Sequence, residues 1–221
     1  MNSVKLHRKK YMRTLLRLTC IGIASLGVTA TGNGQVLLTF DDLPTTPSTQ
    51  GNPGTGVIPN GYGGLDWSNF GVIDGVEAQH TYGYYTGVVS PSNVAFNEYG
   101  NSAYVAKPGG LFDLHSAFLT AALNLSRPLN IQIQGFLGAT MLYNNTYTVN
   151  NSGPTLIDLN YDGVDIVTFT SSPGQQFAMD NLTVTVPEPS IFTLFLLGTL
   201  LFRWCILHRS AIPLLHNQYP Q

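Results

Sequence analysis

Between residues 35 and 186 short apolar runs alternate with clusters of Gly, Pro, Asn and Ser, the punctuation of an all-β chain. The clearest alternation is Leu129-Asn-Ile-Gln-Ile-Gln-Gly135, which turns Leu129, Ile131 and Ile133 to a core and Asn130, Gln132 and Gln134 to water. Further strands are predicted at Val36–Phe40, Leu65–Ile73, Asn93–Asn97, Thr140–Val149, Thr155–Tyr161, Asp165–Thr170 and Phe177–Val186. Asp162-Gly163 signals a tight hairpin between two of them. In Phe112–Leu125 two periods compete. Leu114, Ala117, Phe118, Ala121, Ala122 and Leu125 fit a helical face, whereas Phe112, Leu114, Ser116 and Phe118 fit a strand, and the strand is our reading. Residues 44–64, rich in Gly and Pro, read as a long loop. The expected fold is a two-sheet β-sandwich.

The two ends are different in kind. Residues 1–34 carry a basic start up to Arg17, an apolar stretch from Leu18 to Val28, and small residues at Val28-Thr-Ala30 and Thr31-Gly32, the pattern of a secretory signal cut by signal peptidase within residues 30–34. About a dozen apolar residues is short of the roughly 20 that span a bilayer. At the other end, Val186-Pro-Glu-Pro-Ser190 precedes an apolar run, Ile191 to Phe202, then Arg203 to Arg209, and a tail of residues 210–221. Two prolines hold an extended backbone around one carboxylate, the apolar run reads as a transmembrane helix, and basic residues fix its cytoplasmic end. This order resembles the PEP-CTERM sorting signal of Gram-negative and related bacteria. The resemblance implies recognition of Pro187, Glu188 and Pro189 by an exosortase, a membrane-embedded cysteine protease, and delivery to the cell surface or extracellular matrix. Arg203 interrupts the apolar run and the tail extends past the usual end, so a plain anchor behind a Pro-rich linker is the competing reading. The chain thus divides into a signal (1–34), a β-sandwich domain (35–186), a sorting segment with a membrane helix (187–209) and a tail.

Charge separates the middle from the ends. Only Lys107 and Arg127 are basic between residues 35 and 186, against eleven acidic residues, a formal charge of −9. Such a domain repels phosphate backbones, which argues against nucleic acid as a partner. The chain's two cysteines, Cys20 and Cys205, lie in the apolar ends, so the domain holds no internal disulfide. The succession Phe40-Asp-Asp-Leu43, Gly61-Tyr-Gly-Gly-Leu-Asp-Trp-Ser-Asn-Phe70, Gly87 to Asn97, Phe112 to Phe118, Gly163 to Phe169 and Phe177-Ala-Met-Asp-Asn-Leu182 resembles exported bacterial β-sandwich domains that often carry PEP-CTERM signals. The resemblance implies a jelly-roll-like sandwich, distantly similar to carbohydrate-binding modules, and brings no assigned activity.

Three constellations bear on chemistry. Asp158, Asn160, Asp162 and Gly163 match the opening of an EF-hand-type calcium loop, but Phe169 stands where the bidentate Glu belongs, so a turn is the favoured reading. Asp41 and Asp42 end the first strand and Asp180 lies in the last. Asp180 shares the parity of the inward Leu182 and Val184, opposite to Phe177 and Met179, which predicts a bulge. Sandwiches of the resembling type often hold a structural calcium where these strands adjoin. Either that cation or backbone N–H groups must partner a carboxylate there, and both readings are open on the sequence. Trp67 and Phe70 read as core, and the Tyr82–Tyr85 run as surface suited to stacking on sugars. The domain's histidines are His80 and His115, and no HExxH, G-x-S-x-G or phosphate-loop motif occurs. The expectation is a non-enzymatic surface or matrix protein, with a polysaccharide-binding module as the alternative.

Overall fold

The computed structural model describes residues 34–123 and 128–187, with Gly198 and Thr199. The signal segment up to residue 33, the membrane helix apart from Gly198 and Thr199, the tail and the two sorting residues Glu188 and Pro189 lie outside the described residues. Among the described residues no helix is long and apolar enough to cross a membrane.

Among the described residues twelve strands form two antiparallel sheets: β1 (Gln35–Leu38), β2 (Thr55–Val57), β3 (Asp66–Ser68), β4 (Phe70–Asp74), β5 (Asn93–Asn97), β6 (Ala103–Ala106), β7 (Phe112–Ala121), β8 (Leu129–Leu137), β9 (Thr140–Val149), β10 (Thr155–Val164), β11 (Ile166–Ser171) and β12 (Phe177–Thr185). One four-residue helix, α1, spans Gly83–Thr86. Sheet 1 has seven strands in the order β10-β7-β12-β5-β4-β2, with β1 paired to the same edge of β12 as β5, further along it. Sheet 2 has five strands in the order β3-β6-β11-β8-β9.

The core lies between the sheets because most strands turn alternate side chains inward there. Leu129, Ile131 and Ile133 of β8 are buried as the alternation requires. An aromatic chain runs through the middle. Phe40, Trp67, Phe70, Phe169 and Phe177 meet mostly edge to face, with centroids 5.4–6.1 Å apart, a geometry that suits ring quadrupoles. Trp67 also donates its indole N–H to Tyr62 O at 2.9 Å. Trp67 and Phe70 are therefore core, as their sequence context indicates.

The structure departs from the sequence reading at the sheet crossings. Leu65–Ile73 is not one strand. Asn69 adopts φ 57° and turns the chain from β3 in sheet 2 to β4 in sheet 1. Its amide holds Glu98 O and Ser102 O, and Asn tolerates this left-handed backbone better than most residues. Asp162-Gly163 is likewise no hairpin: β10 belongs to sheet 1 and β11 to sheet 2, so the chain crosses between sheets there. Strand β2 lies within the stretch read as loop, and β6 was missed.

Candidate functional site

Asp180 is fully buried, and a bulge at Asn181 (φ 50°) sets its direction. The bulge reverses parity: Phe177, Met179, Leu182 and Val184 all reach the central core, while Asp180 falls on the side of Ala178. The expected inward parity of Asp180 is thereby corrected, and the expected bulge is present. Its carboxylate accepts N–H bonds from Val89 (2.7 Å), Ser90 (2.9 Å) and Asn181 (2.7 Å), and the Ser90 hydroxyl at 3.3 Å. Burial pushes its carboxyl above the ordinary range, these N–H donors pull the other way, and the charge of Asp41 adds to the upward push. Asp41 accepts Asn93 N–H at 2.9 Å, and the Asn93 amide caps Phe40 O and Leu43 O. These bonds close the gap between β1 and β5 along the edge of β12. Asp42 turns elsewhere and accepts the Tyr62 hydroxyl at 2.8 Å. Among the described residues no three His, Cys, Asp or Glu side chains gather as a metal group. The Asp180 carboxylate thus accepts three backbone N–H groups and one hydroxyl.

Asp158, Asn160 and Asp162 are exposed along β10, alternating with buried Ile157, Leu159 and Tyr161. They sit on a bulged strand paired with β7, not in a loop wrapped around an ion. The Tyr82–Tyr85 run is only partly surface. Tyr84 is buried in a small cluster outside sheet 1, with its hydroxyl on Gln176, while Tyr85 stacks on His80 at 4.1 Å. Burial raises the Tyr84 pKa. The other histidine, His115, shares a 2.8 Å hydrogen bond with Thr185.

The feature the sequence reading missed is the outer face of sheet 2. Strand register aligns its outward side chains in rows. Asp66, Ala106, Ile166, Phe136 and Met141 form one row across five strands. The next is Ser68, Tyr104, Thr168, Gln134 and Asn144, and a third holds Thr170, Gln132 and Thr146. At the usual strand spacing each five-strand row is about 19 Å long. In a domain of formal charge −9, these rows carry a single charge, Asp66 at the edge. Tyr104 is well exposed. Some amides are held by neighbours across the strands, Gln132 to Asn144 at 2.9 Å and Thr148 to Asn130 at 2.8 Å, so the face is organised before anything binds.

At the β3–β6–β11 end the face deepens into an open groove of about 870 Å³, walled by Lys107–Leu111 and by Asp165. Lys107 donates to Gly64 O at 2.9 Å, which fixes the wall. Asp165 accepts Gly138 N–H through Oδ2 at 2.7 Å, while its buried Oδ1 has no protein partner. That leaves one acceptor over in the groove wall. The alternation in β8 was visible in the sequence; what was not was which strands flank it, and only pairing assembles the rows.

No family model and no curated protein matches the chain. Among solved structures it is similar to TmCBM61 in complex with β-1,4-galactotriose (9% identity, 59% of this chain and 95% of that one, TM-score 0.34). It is similar also to the CBM22-1 xylan-binding domain from Paenibacillus barcinonensis Xyn10C (10% identity, 73% and 100%, TM-score 0.37). A third is CBM51 from Clostridium perfringens GH95 in complex with methyl-galactose (8% identity, 68% and 100%, TM-score 0.33). These are likenesses of outline, and the sandwich itself rests on the two sheets described above.

Proposed function

We propose that the β-sandwich is a non-catalytic module that binds a neutral polysaccharide along the outer face of sheet 2. The observation that carries this is the row Ser68–Tyr104–Thr168–Gln134–Asn144, an uncharged line of hydroxyl and amide groups with one exposed aromatic ring. Sugar hydroxyls need paired donors and acceptors, which amides and hydroxyls supply together. The C–H face of a pyranose needs a flat apolar partner, and Tyr104 offers one beside the groove. A straight row across five strands suits an extended chain, and an open groove lets that chain pass through.

The test is a glycan array probed with the full chain in a sugar-free detergent, alongside Tyr104→Ala and Gln134→Ala. Retention of neutral glycans that Tyr104→Ala weakens about tenfold supports the reading. Retention unchanged by both substitutions refutes this face as the site.

Delivery to the cell surface by signal peptidase and an exosortase is the second part of the proposal. Pro187 is exposed two residues beyond the end of β12, so the Pro187-Glu188-Pro189 segment begins as soon as the sheet ends. Mass spectrometry of both termini of the surface-located protein tests it, and intact peptides beyond Ser190 would argue against cleavage.

A further inference from the structure

A second recess lies on the opposite face of the sandwich. On the outside of sheet 1, register places Val57, Gly71 and Phe96 side by side across β2, β4 and β5. Gly71 has no side chain there, and a Cβ would meet the Phe96 ring at 2.9 Å and Glu98 Oε1 at 3.0 Å. The Phe96 ring and the Glu98 carboxylate thus close over Gly71, and beside them a notch of about 410 Å³ is lined by Thr55, Val57, Phe96, Glu98 and Tyr99.

Tyr99 is the unusual member. It is 82% exposed and its φ is 55°, a backbone region that an aromatic residue seldom enters. Left-handed backbone is strained for a non-glycine residue, and an exposed ring recovers none of that by packing. The turn that carries it is clamped on both sides. Glu98 N–H donates to Asn69 O at 3.0 Å, Asn101 N–H closes onto Glu98 O at 3.0 Å, and Gly100 packs against Gly174 and Gln175. An outlier held this firmly points to use rather than accident. Tyr99 lines this notch together with Glu98, Thr55 and the apolar Val57 and Phe96.

We infer that this notch is a second carbohydrate site, so that one domain bridges two polysaccharide chains held on opposite faces. The inference rests on the polysaccharide reading of sheet 2. A sugar ring lies with its C–H face on Tyr99 and the notch floor, while Glu98 accepts hydroxyl protons and Thr55 both gives and accepts. The two sheets stack about 10 Å apart, with a side-chain layer outside each, so a straight chain lying on one face does not reach the other. Two sites on opposite faces therefore cross-link, whereas two sites on one face add affinity for a single chain.

The experiment uses the full chain in a sugar-free detergent with four soluble polysaccharides, arabinoxylan, galactan, galactomannan and xyloglucan. Retardation in polysaccharide-containing gels reads binding, and light scattering of the mixtures reads cross-linking. Tyr99→Ala removes an exposed ring from a strained position, so folding is not at risk. Expected is retardation with at least one polysaccharide, weakened about tenfold by Tyr104→Ala and to a lesser degree by Tyr99→Ala. Scattering then rises with the parent protein and with neither variant. If Tyr104→Ala weakens retardation while Tyr99→Ala leaves both retardation and scattering at the parent level, the second site is overturned and the first stands. If no polysaccharide retards the parent protein, both fall together.

Discussion

Asp180→Ala tests whether hydrogen bonds alone hold the edge of β12 closed. The substitution strips the acceptor from three N–H groups, those of Val89, Ser90 and Asn181. They are not equal. Val89 is exposed and Ser90 half-buried, so water reaches their N–H groups once the carboxylate is gone, whereas Asn181 remains within the sheet. A buried donor left without an acceptor costs about 1–3 kcal/mol. One full and two partial penalties give about 2–4 kcal/mol. At about 3 kcal/mol, Tm falls by about 6–12 °C for a domain of this size. Asp180→Asn keeps one oxygen for the Val89 and Ser90 pair but turns an NH₂ toward Asn181 N–H, so its loss is smaller, about 1–2 kcal/mol. Calorimetry of the full chain in detergent, with and without a calcium chelator, reads both variants. Chelation is expected to leave the parent Tm within about 1 °C, since the carboxylate is already filled by N–H and O–H donors. A chelator-dependent fall in the parent that Asp180→Asn abolishes would assign Asp41 and Asp180 to calcium instead. A Tm for Asp180→Ala equal to the parent's would refute the staple outright.

Other outcomes follow from the same packing. Burial pushes the Tyr161 hydroxyl up to about 12, against about 10 in an unfolded chain. The unfolded chain thus releases this proton first, and the stability tied to it is complete below about pH 10 and drains away between pH 10 and 12. Phenolate absorbance alongside Tm will show this, and full ionisation of every tyrosine near pH 10 in folded protein would contradict it. Asn97 is fully buried, with its amide donating to Asn101 O and Gln175 O and its oxygen accepting Phe177 N–H at 2.8 Å. Asn97→Ala should cost about 3 kcal/mol in denaturant titration, and a loss below about 1 kcal/mol would show that the site relaxes. Gly83 opens α1 where a Cβ would come within 1.9 Å of Ala121 O. Gly83→Ala should therefore lower Tm, while Gly153→Ala, whose added Cβ meets nothing within 4 Å, should not.

How much of this was legible follows from where periodicity survives. Strand β8 was readable residue by residue because its alternation is unbroken. Strand β7 was ambiguous for a physical reason. A register shift between Leu114 and Ser116 moves the inward positions from Leu114 to Ala117, a spacing of three that imitates a helix. Sheet crossings were illegible because a single residue makes them: Asn69 and Asp165 each carry the chain across without the Gly or Pro cluster that marks a loop. The Asp41–Asp180 neighbourhood was anticipated from the chain's first and last strands, and its direction was not, since one bulge decides it. The rows on sheet 2 join residues from five strands, and no local pattern announces such a line. Tyr99 was invisible for the opposite reason, being one residue whose meaning lies in its backbone angle and in the glycine beside it.

The position of β12 has a consequence for when this molecule is able to fold. It is the last of the described strands in the chain, yet β7 lies along one side of it and β5 and β1 share the other. Until residue 185 is free, β7 and β5 each keep one open edge, and β1 has no partner at all and waits from residue 38 to residue 182 for its own. Closure of the larger sheet is thus deferred until β12 is available, by topology alone. Loss of the last nine strand residues would leave an unclosed sheet with bare edges, the state most prone to aggregate.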